Sequence, residues 1–305
     1  MRRASKAMLR PAIVAGLVMS GLATTAARAD CTAIDGDIRE AINVGLAAKL
    51  PLLNERMLED PTCPGDYRER TGRVMALAMV KGLEAKHGSA MPVDALSEAV
   101  KLGRPWQALF ALGNAHYEKK SFADAVRAYE AAIEDVRDER LNPKAPPKEV
   151  EVAMFKRAYQ ARALADGYVE VAVTRGKRGG IASGKFRNFT VSAVPVPIRF
   201  GYNEATLTGD GEKAAADMLG YLSEQGAARV TLIGHTDPVG GEGYNKKLSL
   251  ARAEALKTYL TGNGYAGEVV IEGKGEAERF EADDPSAYAE DELHAFDRRV
   301  EFVVE

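Results

Sequence analysis

Apolar residues change their spacing once along this chain, and the change divides it. From residue 30 to about 167 they recur at helical intervals, with few strand signals and with polar breaks at 61–66, 88–92 and 142–147. From 194 onward, short apolar strands alternate with helices. The run Val194-Pro195-Val196-Pro197-Ile198-Arg199-Phe200 carries two prolines that cannot donate to a ladder, so it belongs at a strand start or a sheet edge. Thr208 can cap a helix over about 209–224, whose Ala215, Met218, Leu219 and Leu222 form one stripe that stops near Gly226. A strand at 229–233, a helix at 244–260, a strand at 269–272 and a helical stretch at 285–295 follow. Residues 299–304 close the chain, with Val300, Phe302 and Val304 on one face. The expected fold is α+β: an all-α domain of helical hairpins, then an α/β sandwich of order βαβαβ-αβ with a mixed sheet.

Between these halves, 168–193 reads as a linker that opens with a strand over 168–173 and turns basic and glycine-rich at 175–180. Residues 179–185 spell G-x-x-x-x-G-K, but Phe186 stands where a phosphate loop needs Ser or Thr for Mg²⁺, and no helix follows. Nucleotide binding is therefore rejected.

Within the helical half, Leu112-Gly113, Tyr117, Phe122, Ala125, Tyr129 and Ala132 are spaced so that small residues let two antiparallel helices approach while aromatics fill the gap. The segment resembles one tetratricopeptide repeat. It departs from that motif at Leu109, His116 and Arg137. A single repeat cannot bury its own face, so roughly three or more hairpins are expected, with 73–86, 93–102 and 150–165 as further helices. An ordinary helical bundle is the alternative. Alternating strands of about ten residues are missing from this half, which argues against a transmembrane barrel there.

The ends set the compartment. Arg2, Arg3, Lys6 and Arg10 precede an apolar run over 12–26, and Ala27-Arg28-Ala29 stands before Asp30. This is the order of a cleaved secretory signal over 1–29, and the run is short of the ~20 residues that span a bilayer. Arg28 and Asp30 beside Cys31 do not fit a lipidation site. Cys31 and Cys63 both lie in the exported part, where an intramolecular disulfide is the economical reading; two free thiols are the alternative. The chain has 41 Lys+Arg and 44 Asp+Glu, and losing a leader with five cations and no anion leaves net −8. That balance argues against nucleic acid or anionic lipid as partner.

The most specific pattern is Gly234-His235-Thr236-Asp237, then Tyr244-Asn245 and Leu248-Ser249-Leu250-Ala251-Arg252-Ala253, with Asp297-Arg298-Arg299-Val300-Glu301 near the end. Over 194–305 it resembles the OmpA-like C-terminal domains. The resemblance implies non-enzymatic binding of peptidoglycan through the diaminopimelate of its stem peptides, with no cofactor. Asp237 would then hold the ligand ammonium and Arg252 its carboxylate, while Thr236 and Asn245 would be supporting polar contacts. Asp297 stands where the family commonly has asparagine, so its carboxylate would lie near the site and either weaken binding of the ligand carboxylate or pair with Arg298 or Arg299, and the stretch 276–294 is an acidic insert.

The residue chemistry is compatible with this. Asp237 follows a strand and so sits at its carboxyl end, where α/β ligand crevices lie. Arg252 should sit at the border of a buried helix side marked by Leu250, Ala253, Leu256 and Leu260. One anion and one planar cation suit a zwitterionic amino-acid head. The same two residues could instead form a simple surface ion pair. His235, Asp237 and Ser249 could suggest a hydrolase, but Ser249 lies in no nucleophile elbow, and His235 is expected to be buried. The histidines and cysteines are too scattered for zinc. The expected protein is a periplasmic tether associated with the outer membrane or wall, whose helical domain docks an unidentified envelope protein. Alternatives are a scaffold of an envelope complex and a peptidoglycan hydrolase.

Overall fold

The computed structural model of the chain describes residues 31–170, 173–174, 177–178, 187, 193–201 and 203–305. The expected leader and the 179–185 run lie outside them. The first part consists of α1 (Thr32–Asn43), α2 (Leu50–Glu59), α3 (Gly65–His87), α4 (Val93–Gly103), α5 (Trp106–Glu118), α6 (Phe122–Arg137) and α7 (Lys148–Leu164). Each of α3, α4, α5 and α7 starts directly after a proline in extended conformation, which ends the preceding segment and presets the first turn.

The α5/α6 hairpin closes on the residues that the spacing singled out. A Cβ on Gly113 would come within 2.5 Å of the Tyr129 ring, so glycine is what lets the two helices meet there. Phe110 and Tyr117 flank the Tyr129 ring at 5.7 and 6.5 Å between centres. Two buried ion pairs tie this hairpin to its neighbours. Arg73 of α3 makes a bidentate contact to Asp135 of α6 at 2.6 and 2.8 Å, and Arg162 of α7 meets Glu130 at 2.7 Å. The disulfide between Cys31 and Cys63, with Cα atoms 5.1 Å apart, joins the start of α1 to the turn before α3. Among the described residues no helix is long and apolar enough to cross a membrane.

Beyond a two-residue antiparallel ladder of β1 (Val173–Thr174) and β2 (Lys177–Arg178) comes the mixed sheet. The strand expected over 168–173 is displaced: residues 168–170 form no ladder, and β1 starts only at Val173. Tyr168 turns instead to the helix that follows Thr208, its hydroxyl bonding Asp217. The sheet order is β3 (Val194–Val196), β6 (Val300–Val304), β4 (Arg229–His235), β5 (Glu268–Gly275). β4 and β5 run parallel, and β6 is antiparallel to both β3 and β4. Pro195 is therefore on an edge strand, as its missing N–H requires.

Two helices cover one face, α8 (Gly209–Gln225) and α9 (Glu242–Gly262). The Thr208 hydroxyl accepts from Gly211 N–H at 3.1 Å, and Gly226 ends α8 with φ +60°. Met218, Leu222, Val230, Leu232, Leu256 and Phe302 are at the centre of this core. One expected member of the α9 stripe is misplaced: Leu250 is 44% exposed, and the buried side runs through Asn245, Ser249, Arg252, Ala253, Leu256 and Leu260. Helical rotation explains the shift, because Gly234 and Gly273 admit the backbone around Ser249 against the sheet and turn Leu250 outward.

The acidic stretch after β5 is largely exposed but anchored at a few points. It forms a single 3₁₀ turn at Pro285–Ala287 and then α10 (Glu290–Asp297), and it lies against the helical domain. Ala282 and Phe296 belong to the same core as Met154, Phe155 and Tyr159. The Tyr159 hydroxyl donates to the Phe296 carbonyl at 2.6 Å, and its ring is 4.5 Å from that of Phe280. Arg157 pairs with Asp283 at 2.6 Å, and Lys120 with Glu292 at 3.2 Å. The two domains thus share a packed and charge-matched junction.

Candidate ligand-binding site

The turn after β4 is held by its own backbone and by Asn245. Thr236 N–H donates to the Gly275 carbonyl at 2.9 Å, and Val239 N–H donates to Asp237 Oδ1 at 3.0 Å. Asn245 is buried on α9. Its Nδ2 reaches the Asp237 and Val239 carbonyls at 3.3 Å each and also bonds the Glu276 carboxylate. Asn245 therefore shapes the loop that carries Asp237. Thr236 is buried too, with no partner for its hydroxyl among the described residues.

Asp237 and Arg252 stand near one another but do not close on each other. Arg252 is 8% exposed. Its Nε donates to the Glu204 carbonyl at 3.1 Å, and its guanidinium lies 5.1 Å over the Phe200 ring. These contacts leave its two terminal nitrogens without a partner among the described residues. Burial lowers the pKa of this guanidinium from its ordinary value, and the nearby Asp237 charge opposes that shift.

The direct partner of Asp237 is Arg298, whose Nη1 lies 2.7 Å from Oδ2; the Arg298 side chain is 45% exposed and that of Asp237 16%. Arg298 was not among the residues singled out from the sequence as ligand contacts. It enters from the far end of the domain, directly after the last turn of α10, and its charge also reaches Arg252. The site is thus one carboxylate flanked by two guanidiniums at the carboxyl end of β4. Tyr244 and Val239 are exposed at its rim, and the Tyr244 hydroxyl bonds Asn203 Oδ1 at 2.7 Å.

The expectation that Asp297 lies near the ligand or pairs with Arg298 or Arg299 is corrected. Asp297 is buried, pairs with Arg279 at 2.5 Å and accepts from Phe280 N–H at 2.8 Å. Its carboxylate closes the insert back onto α10. Arg299 turns instead to Glu301, 2.7 Å away. His235 is fully buried and lies 3.8 Å from Glu301. The Ser249 hydroxyl donates to the Lys246 carbonyl and accepts from Gly275 N–H, both at 2.9 Å, which places it in the α9/β5 contact.

A compact α/β sandwich with charged groups grouped behind its second strand defines the class. Residues 199–291 match the OmpA family model, and the C-terminal domain is an OmpA-like domain. The segment is 32% identical over 96 residues to "Outer membrane protein A" of Shimwellia blattae, which takes in 30% of this chain and 38% of that protein. It is 30% identical over 116 residues to "Outer membrane porin F" of Pseudomonas fluorescens, covering 38% of this chain and 34% of that one. The chain thus spans well under half the length of these relatives. Among solved structures, "the cell wall anchor of the T6SS from Pseudomonas aeruginosa" is 28% identical over 37% of this chain and 79% of the other, with a TM-score of 0.30.

Proposed function

We propose that the C-terminal domain binds peptidoglycan without catalysis, gripping the amino-acid end of a diaminopimelate stem peptide, and that the protein tethers this wall to the rest of the envelope. One observation carries the reading: Asp237 is flanked by Arg252 and Arg298 in the loop behind β4 of an OmpA-like domain. A ligand head with one ammonium and one carboxylate would place the ammonium on Asp237 and the carboxylate on the outward nitrogens of the two arginines. Each charge-assisted bond contributes ~1.5 to 3 kcal/mol. A single site then binds modestly, and retention on the wall comes from many copies facing a polymer.

The helical domain, with its tetratricopeptide-like α5/α6 hairpin, is in this reading the docking element for an envelope protein. The location is the periplasm at the outer membrane or wall, which agrees with the signal-like start and with the outer-membrane names of the relatives. The engaged Ser249 hydroxyl and the buried His235 support a binding role over hydrolysis, and no clearing is expected in zymography on peptidoglycan. Purified sacculi should retain the wild-type protein and release Asp237→Ala and Arg252→Ala variants that keep wild-type circular dichroism. Full retention of both folded variants would end this reading.

A further inference from the structure

The junction between the domains lies directly behind the ligand site, and the chain connects the two over two residues. Tyr159 of α7 is buried and donates to the Phe296 carbonyl at 2.6 Å, while Arg298 follows immediately after α10 and reaches Asp237 at 2.7 Å. Phe296 is one of the least exposed side chains in the protein, and Tyr288 packs edge-on against it at 5.0 Å between ring centres. On the other side Phe280 stacks on Tyr159, and the Arg299 guanidinium sits 5.8 Å from the Phe280 ring. The segment that bears Arg298 is therefore fixed by α7 and by the insert docked on it.

Its guanidinium is different in kind from that of Arg252. Arg252 is buried and braced by Phe200 and the Glu204 carbonyl. Among the described residues the Arg298 guanidinium meets only Asp237, and its side chain is 45% exposed. Immobilising a long side chain on binding costs conformational entropy. Whatever holds the base of Arg298 beside Asp237 reduces that loss.

We infer that α7 of the helical domain, acting through the 276–297 insert, is a positioning element of the ligand site: it holds Arg298 beside Asp237 and raises affinity for a carboxylate-bearing amino acid. This rests on the reading of the site given under Proposed function. By reciprocity, ligand held between Asp237 and Arg298 strengthens the junction, so the wall-binding and helical domains report to one another.

The test uses the whole mature chain and meso-diaminopimelic acid as the probe in an NMR titration. Tyr159→Phe removes only the hydroxyl that holds the Phe296 carbonyl, and Phe280→Ala removes the stacked ring. Each is expected to weaken binding by about fivefold. In an Arg298→Gln background neither should have further effect, because the element they position is gone. Amide exchange over 290–299 should quicken in both variants without ligand. Equal loss of affinity in the two backgrounds, or unchanged affinity in the single variants despite faster exchange, overturns the inference while leaving the peptidoglycan reading intact. Absence of binding by the unmodified protein removes both.

Discussion

At the scale of single residues, Arg252 shows how much a side chain's surroundings decide its use. An arginine at 8% exposure costs stability unless its charge is offset, and here the Glu204 carbonyl bonds Nε, the Phe200 face lies under the guanidinium and the Asp237 charge favours it from nearby. Lysine has one nitrogen and no planar fork, so it cannot hold the Glu204 carbonyl with one nitrogen while two others offer a parallel pair of bonds to a carboxylate. Arg252→Lys is expected to fold and to bind meso-diaminopimelic acid about tenfold more weakly, roughly 1.4 kcal/mol; wild-type affinity in a titration would show that the fork is not used. Asp237 and Arg252 were legible because their motif is local: a strand end and the next helix, fifteen positions apart. Arg298 was not legible as a partner of Asp237, because sixty-one positions separate them and only the docked insert brings them together. The role of Asp297 was hidden for a related reason, since its partner Arg279 lies in the insert itself.

At the scale of elements, periodicity anticipated the helices and strands of the sandwich to within a few residues, and it erred where close packing replaced amphipathic patterning. Leu250 looked like core but is turned out, because glycines in β4 and β5 draw the Ser249 side of α9 inward. The α5/α6 hairpin is a similar close approach, and there the small residue was visible in advance. Alanine at position 113 would gain helix propensity, worth about 0.8–1 kcal/mol, yet its methyl would meet the Tyr129 ring. Overpacking of this kind costs ~1–3 kcal/mol. The net effect expected of Gly113→Ala is a lower thermal midpoint, and a raised midpoint would mean that the hairpin opens without cost. The disulfide acts between elements as well. Closing a loop of 32 positions restricts the unfolded chain by about 3–4 kcal/mol on the chain-entropy model, so reductant should lower the guanidinium midpoint of the wild type and leave a Cys31→Ser/Cys63→Ser variant unmoved.

At the scale of the molecule, the surprise is the acidic insert. Its acidity and a helical stretch at 285–295 were legible, but composition alone does not reveal that Arg157, Gln160 and Tyr288 wait for a carboxylate. Asp283 meets all three: Arg157 at 2.6 Å, Gln160 at 2.9 Å and Tyr288 at 2.8 Å. Burial by itself would raise the Asp283 carboxyl, but the Arg157 charge and the hydrogen bonds from Gln160 and Tyr288 outweigh it and hold the group below its ordinary value of 3.8. A pKa depressed in the folded state means that the unfolded chain takes up the proton first as pH falls. The stabilisation is therefore fully present above about pH 4, the unfolded value, and it is lost as pH drops through the lower folded value. Asp283→Asn keeps the shape and one acceptor but removes the charge, leaving the half-buried Arg157 without its counter-ion. The variant should melt below the wild type at neutral pH, and the gap should narrow steadily below about pH 4 as the wild type loses the same charge. Thermal melts of the two proteins from neutral pH downward read this directly. A gap that stays constant into acid would mean that the insert is held by its aromatic packing on α7 alone, with the Arg157–Asp283 pair contributing nothing to the union of the two domains.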